Sequence, residues 1–276
     1  MKYLLLDTNI YLDMLFSRTK LSPPETISRL DSLLKWGTAR LIVPEIVVIE
    51  TQRNINNLVC NIDINVRNMI NLMEESYWIN TEHELPKYKN TVKETVKSLR
   101  EYKVRLDNNK ENYIKGLNIN VSSLFDMGTI IKTDNDLIAS VQKRKLFKKA
   151  PLHTNKDSSQ DALIVETLLN IKKYVDILPD DEIYFISKNY SDFSKSKSEI
   201  QTIHDDINND LINAGLDGVV KYRNLLFRTL KDDFDVEYIT ANEIEDEYNE
   251  FLFSQEYDYV DAFAEEMDVL GEYPRH

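Results

Sequence analysis

Cysteine is almost absent: Cys60 is the single one among 276 residues. An internal disulfide framework is therefore impossible and a Cys-rich zinc site is excluded, which fits a reducing compartment. Histidine is nearly as scarce, and His83, His153, His204 and His276 form no close pair, so each reads as a surface residue rather than a metal ligand. Six glycines are present, with no Gly-rich loop to cradle phosphates. A nucleophile elbow of the Gly-x-Ser-x-Gly type is also missing, which removes the usual serine-hydrolase reading. Long hydrophobic runs are lacking too. The apolar stretch at the start is broken at Asp7, too early for a secretory signal, and no later run approaches bilayer-spanning length. The expectation is a cytoplasmic chain with no membrane partner and no repeat architecture.

What is present suits a folded enzyme-sized chain. A hydrophobic content of 42% is ample for a core. The net charge of −13 opposes a polyanionic partner on average, but the charge is unevenly spread. From Lys87 to Lys149 there are about fifteen Lys/Arg against about seven Asp/Glu, whereas after Leu225 there are about three against about sixteen. One basic segment thus sits inside an acidic protein. As a charge run it reads first as a solvated helical face, and only an adjacent reactive site would give it another role.

The order of elements is legible from periodicity. Tyr3 to Leu6 is a strand-length apolar run; Asp7-Thr8-Asn9 breaks it, and Ile10, Leu12, Leu15 and Phe16 then recur at helical spacing. Ser22-Pro23-Pro24 predicts a helix start, Trp36-Gly37 its end, and Arg40 to Val43 a second strand that runs past Pro44 into a helix carrying Glu50. The alternation β-α-β-α predicts a parallel sheet covered by helices. Residues from about 54 to 150 read as a helical elaboration. A polar loop from Pro151 to Ser159 leads to a helix with Asp161 in its first turn. Glu182 to Ile186 is a third predicted strand, followed by a polar turn up to Phe193, and Val236 to Ile239 a fourth, with a last core helix from Thr240 toward Phe253. Residues 254–276 read as an acidic helical tail.

Four acids take equivalent places in this scheme. Asp7 follows the first strand, Glu50 lies on the helix after the second, Asp161 opens a helix, and Asp192 sits in the turn after the third. Each alone could be a helix cap or a surface acid. Brought together at the carboxyl edge of a sheet they would repel by several kcal/mol unless cations neutralised them, and Mg²⁺ or Mn²⁺ is the hard cation that oxygen ligands select. A phosphatase with an aspartyl nucleophile also starts with strand-Asp, but the second Asp such chemistry needs two residues on is here Asn9.

Four segments in order carry a resemblance: Leu4-Leu-Leu-Asp7-Thr8-Asn9-Ile10, Pro44-Glu45-Ile46-Val47-Val48-Ile49-Glu50, Asp161-Ala162-Leu163-Ile164, and Phe185-Ile186-Ser187-Lys188-Asn189-Tyr190-Ser191-Asp192-Phe193. They resemble the four acidic motifs of the PIN-domain nucleases, and the extra length between them resembles the larger bacterial members. Ser187 stands where Thr is more usual, which keeps the hydroxyl. The resemblance implies a three-layer α/β fold with a central parallel sheet of about four or five strands flanked by helices, residues 1–253 forming the domain with a basic helical insertion over about 54–150. It implies metal ligation by Asp7, Glu50, Asp161 and Asp192, with Asp157 a rival or partner to Asp161, and polar support from Thr8, Asn9, Ser187 and Asn189. It implies an endoribonuclease in which one or two Mg²⁺ or Mn²⁺ ions activate a water to cleave single-stranded or structured RNA, in phage defence, toxin-like growth control or RNA turnover. Arg144, Lys145, Lys148 and Lys149, the densest basic cluster, are then the candidate RNA-binding residues, with Tyr88, Tyr102, Tyr113 and Phe147 interleaved. A homodimer or a partner protein is compatible with the same residues. The rival class is a catalytically inactive RNA- or protein-binding module, against which the retention of four carboxylates speaks.

Overall fold

A computed structural model describes residues 1–16, 25–75, 85–154, 158–196 and 198–236. The first apolar run forms strand β1 (Lys2–Leu6), and the break at Asp7 passes directly into helix α1 (Thr8–Phe16). Helix α2 (Thr26–Lys35) ends at Trp36 and Gly37; Gly37 takes φ +69° and its N–H donates to the Leu34 carbonyl, a helix exit that suits glycine. Strand β2 (Ala39–Pro44) runs into helix α3 (Glu45–Glu75), followed by helix α4 (Leu85–Asp126), strand β3 (Thr129–Ile131) and helix α5 (Asn135–Leu146). Then come helix α6 (Ser159–Leu169), strand β4 (Glu182–Ile186), the four-residue helix α7 (Tyr190–Phe193), helix α8 (Asp205–Asn213), strand β5 (Val220–Arg223) and helix α9 (Leu226–Phe234).

All strand pairs are parallel, in the order β3-β2-β1-β4-β5. The chain steps outward from β1 to β2 and β3, then returns to the other side of β1 for β4 and β5. The winding therefore reverses between β1 and β4, and in such sheets ligands collect in the crevice outside the carboxyl ends at that reversal. Leu6 pairs with Ile186 at the end of the ladder. Pairing continues one residue further, Asp7 N–H donating to the Ile186 carbonyl and Ser187 N–H to the Arg223 carbonyl, each at 3.0 Å. The positions of Asp7 and Ser187 are thus fixed by the sheet itself.

Leu4, Leu5, Leu6, Ile183, Phe185 and Ile186 are fully buried, so both faces of the central strands are covered. That is why these strands read as unbroken apolar runs instead of alternating ones. Helices α3 and α4, of 31 and 42 residues, are about 46 and 63 Å long at 1.5 Å per residue and pack together as a hairpin. One end of the hairpin is seated in the main core through Val47, Ile55, Val121, Leu124 and Phe125. Farther along, Val66, Ile70 and Val96, with Ile62, Met73, Val92 and Leu99 around them, form a separate small core. The hairpin is an arm with its own apolar seam.

Three details differ from the reading of the sequence. Strand β3 lies inside the stretch expected to be helical, and β5 lies where no strand is expected; both are short edge strands. Val236 is not in a strand, and the rest of the expected strand to Ile239, the helix toward Phe253 and the acidic tail lie outside the described residues. No helix among the described residues is long and apolar enough to cross a membrane.

The turn into β3 depends on Gly128. A Cβ there would meet the Leu41 carbonyl oxygen at 3.0 Å and Val43 Cγ2 at 3.1 Å, both on β2 in the closed core. Gly128→Ala is expected to lower stability by about 1–3 kcal/mol, as overpacking does, read as a lower urea midpoint with an unchanged slope.

Candidate active site at the carboxyl edge

Asp7 leaves β1 into a closed environment, with only 2% of its surface exposed. Its Oδ2 accepts from Ser187 Oγ at 2.7 Å and, at the limit of hydrogen-bonding distance, from Asn9 Nδ2 at 3.5 Å. Burial pushes its pKa up to about 6, and the nearby Glu50 charge acts in the same direction; the bonds from Ser187, the Thr8 backbone and Asn9 oppose them. Glu50, in the second turn of α3, accepts from Thr8 Oγ1 at 2.8 Å through Oε2. With the Gln160 amide turned so that its nitrogen faces Glu50, that nitrogen donates to Glu50 Oε1 at 3.0 Å and the amide oxygen accepts from Arg53 Nη2 at 3.0 Å.

The other two acids meet through one amide. Asn189 Nδ2 donates to Asp192 Oδ2 at 2.8 Å and to Asp161 Oδ1 at 3.3 Å, while Asn189 N–H donates to Ser187 Oγ at 3.0 Å. Ser158, just ahead of α6, donates to Asp192 Oδ2 at 3.2 Å. Ser187 is therefore the link: its hydroxyl donates to Asp7 and accepts from the residue that joins Asp161 to Asp192. Asp7, Glu50, Asp161, Asp192, Thr8, Asn9, Ser187 and Asn189 all lie in this crevice. Asp157 lies outside the described residues.

Four participants escape a reading of the sequence. Ser158 and Gln160 flank Asp161's turn and hold Asp192 and Glu50; their proximity to Asp161 was the available signal. Asp13, 5% exposed on α1, forms an ion pair with Lys188, the residue after Ser187. Asp13 lies one turn beyond Asn9 on the same face of α1, a spacing that would have marked it.

The donors are carboxylate, hydroxyl and amide oxygens, and Asp7 and Asp192 are almost wholly buried. By donor type this set fits a hard divalent cation such as Mg²⁺ or Mn²⁺. Among the described residues no three His, Cys, Asp or Glu side chains converge closely enough to hold an ion by themselves; hydroxyl and amide groups satisfy the carboxylates instead.

The basic cluster has to be corrected at Arg144. Its side chain is 3% exposed, and the guanidinium donates to Glu166 Oε1 at 2.6 Å, to Asp210 Oδ2 at 2.7 Å and to the Ala150 carbonyl at 2.6 Å. A group so enclosed cannot reach a phosphate. Lys149 is partly drawn into the same network, its Nζ 2.6 Å from Asp210 Oδ1, whereas Lys145 and Lys148 are exposed. Tyr102, Tyr113 and Phe147 are exposed rather than packed in the core. The histidines also differ from expectation: His153 and His204 lie with ring centroids 4.9 Å apart, because the loop before α6 meets the start of α8.

A family model described as a PIN domain matches residues 4–193, a span that contains all four acids of the crevice. No curated protein and no solved structure gives a match. The match covers more than half of the chain and agrees with the five-stranded parallel sheet and with the acids at its winding reversal, so the chain belongs to the PIN-domain family, whose members are generally nucleases.

Proposed function

We propose that this protein is a divalent-cation-dependent endoribonuclease acting on single-stranded RNA. The observation that carries the reading is the hydrogen-bonded network joining Asp7, Asp161 and Asp192 through Ser187 and Asn189, with Glu50 held beside Asp7 by Thr8, at the winding reversal of a PIN-domain sheet. Four carboxylates held in one crevice give nothing to a surface that merely binds a polyanion.

Mg²⁺ or Mn²⁺ held by Asp7, Glu50, Asp161 and Asp192, directly or through bound water, would supply the Lewis acidity that makes a water nucleophilic near neutral pH and offsets charge on the phosphate. The chain's own contribution is orientation. Ser187 holds Oδ2 of Asp7, Thr8 holds Oε2 of Glu50, and the Asn189 amide sets Asp161 and Asp192 relative to each other. Each hydroxyl or amide donor keeps its carboxylate in one rotamer, so little reorganisation is needed when the substrate arrives.

Incubating the purified chain with a labelled single-stranded RNA and Mn²⁺ tests the reading. Fragments that appear with Mn²⁺, disappear with a chelator and return on re-addition are the expected result. RNA that stays intact in Mn²⁺ and in Mg²⁺, yet binds equally well in chelator, would instead favour a non-catalytic binding module. Protection of RNA ends by circularisation separates internal from terminal cleavage: an endonuclease opens the circle.

A further inference from the structure

Next to the acid network, on the β5 side, a cavity of about 620 Å³ opens between the segment after β4 and helix α9. It adjoins the candidate active site through the segment that carries Ser187 and Asn189. Lys188 and Tyr190, which line it, flank Asn189, whose amide joins Asp161 to Asp192. Tyr222, another lining residue, places its hydroxyl 3.1 Å from Ser194 Oγ and 3.5 Å from the Ser187 carbonyl. The far wall is tied down as well: Asn224 Nδ2 and Ser194 Oγ both donate to the Ile200 carbonyl, at 2.5 and 2.8 Å. The cavity is thus built by hydrogen bonds already formed, and its volume falls within the range of about 300–1,000 Å³ typical of sites for small ligands, enough for a nucleotide.

Its chemistry is that of a nucleotide seat. The lining carries three cations, Lys188, Arg223 and Arg228, against Asp232 and Asp233. Arg223 is paired with Asp233, and Lys188 with Asp13, so their charges are largely answered. Arg228, on α9, is exposed, and Tyr190, also in the lining, is 46% exposed. An exposed aromatic ring and a cation together recognise the base face and the phosphate of an unpaired nucleotide, whereas a base stacked inside a duplex cannot offer its face to the ring.

We propose that this cavity seats the nucleotide adjoining the scissile phosphate of a single-stranded RNA, its base stacked on Tyr190 and its phosphate paired with Arg228. The inference rests on the ribonuclease reading above and adds to it the residues that choose single strands over duplexes. Both side chains are exposed, so their replacement leaves the core untouched.

The test measures binding of a short fluorescein-labelled oligouridylate to the full chain by anisotropy, in chelator so that no turnover intervenes, with cleavage of the same RNA in Mn²⁺ recorded separately. Tyr190→Ala is expected to weaken binding about tenfold or more, while Tyr190→Phe retains it. Arg228→Gln is expected to reduce the slope of log affinity against log salt by about 0.7, the value for one phosphate contact on a single strand. A duplex of the same length should bind wild type and Tyr190→Ala alike. If wild type cleaves the RNA but Tyr190→Ala and Arg228→Gln bind it as wild type does, the cavity is not the seat and the ribonuclease reading stands alone. If wild type neither binds nor cleaves, both readings are overturned.

Discussion

Replacing Asp7 by Asn is expected to remove RNA cleavage and at the same time to make the metal-free protein more stable. The loss of activity follows from taking one charge and one oxygen ligand out of the crevice. Charge stabilisation by a bound cation is worth several kcal/mol in a transition state, and at about 1.4 kcal/mol per decade the rate should fall by about 10³-fold. The gain in stability follows from burial. Asp7 has a folded pKa of about 6 against an ordinary value of 3.8, so the native state holds the proton more tightly than the unfolded chain does. Between about pH 4 and pH 6 the native state therefore binds more protons, and stability falls as pH rises through that window; above it the cost is complete. Two pH units correspond to about 3 kcal/mol as an upper figure, and an amide that cannot ionise escapes all of it. Thermal unfolding in chelator checks the claim: Asp7→Asn should melt well above wild type at pH 7.5 and close to it at pH 4. Equal melting temperatures at both pH values, or full cleavage by the variant, would contradict the placement of Asp7 as a buried, repelled ligand. Adding Mn²⁺ should then raise the melting temperature of wild type more than that of the variant, because an ion stabilises only the state that binds it.

The part of this site that is legible in the sequence is the part set by the sheet. Asp7 and Ser187 follow directly from strand ends: Leu4 to Leu6 and Ile183 to Ile186 are buried on both faces, and such runs stand out in any window. Asp161 follows because it opens a helix, and Asp192 because it sits in the polar turn after a predicted strand. What cannot be read is how the acids are joined. The Asn189 amide bridging Asp161 and Asp192, and the Ser158 hydroxyl on Asp192, are contacts across 28 and 34 residues that no local pattern encodes. The two missed strands have a different reason. Thr129–Ile131 is three residues long with two exposed, and Val220–Arg223 is an edge strand with Lys and Arg among its four, so neither shows the apolar run by which the central strands declare themselves. The logic that finds the basic segment also misplaces Arg144. Within Lys143-Arg144-Lys145 the three cations look alike in sequence, yet helix geometry turns the middle one inward toward Glu166 while its neighbours face solvent.

Arg144 accordingly provides the second large effect, and it is one on folding. The guanidinium is held by α6 through Glu166, by α8 through Asp210 and by the Ala150 carbonyl in the loop that leads to Ser158 and Asp161. Removing one partner from a buried, hydrogen-bonded ion pair leaves the others uncompensated, and Arg144→Gln is expected to cost about 3–5 kcal/mol. For a chain of this size that is a fall in melting temperature of roughly 10 °C or more, and it should change little between low and high salt because the pair is shielded from counterions. Arg144→Lys decides between a structural and an RNA-binding role. Lysine keeps the positive charge but presents a compact ammonium in place of the planar fork that reaches three acceptors on three segments. A contact made to phosphate by charge alone would survive that change, with stability untouched. If Arg144 instead clamps α5, α6 and α8, Arg144→Lys still lowers the melting temperature substantially, and the folded fraction of either variant binds RNA with the affinity and salt slope of wild type. Lys145→Gln and Lys148→Gln, on the exposed side of the same turn, should leave the melting temperature within about 0.5 kcal/mol of wild type in equivalent stability, so the two sides of one basic run separate cleanly in a single set of melts.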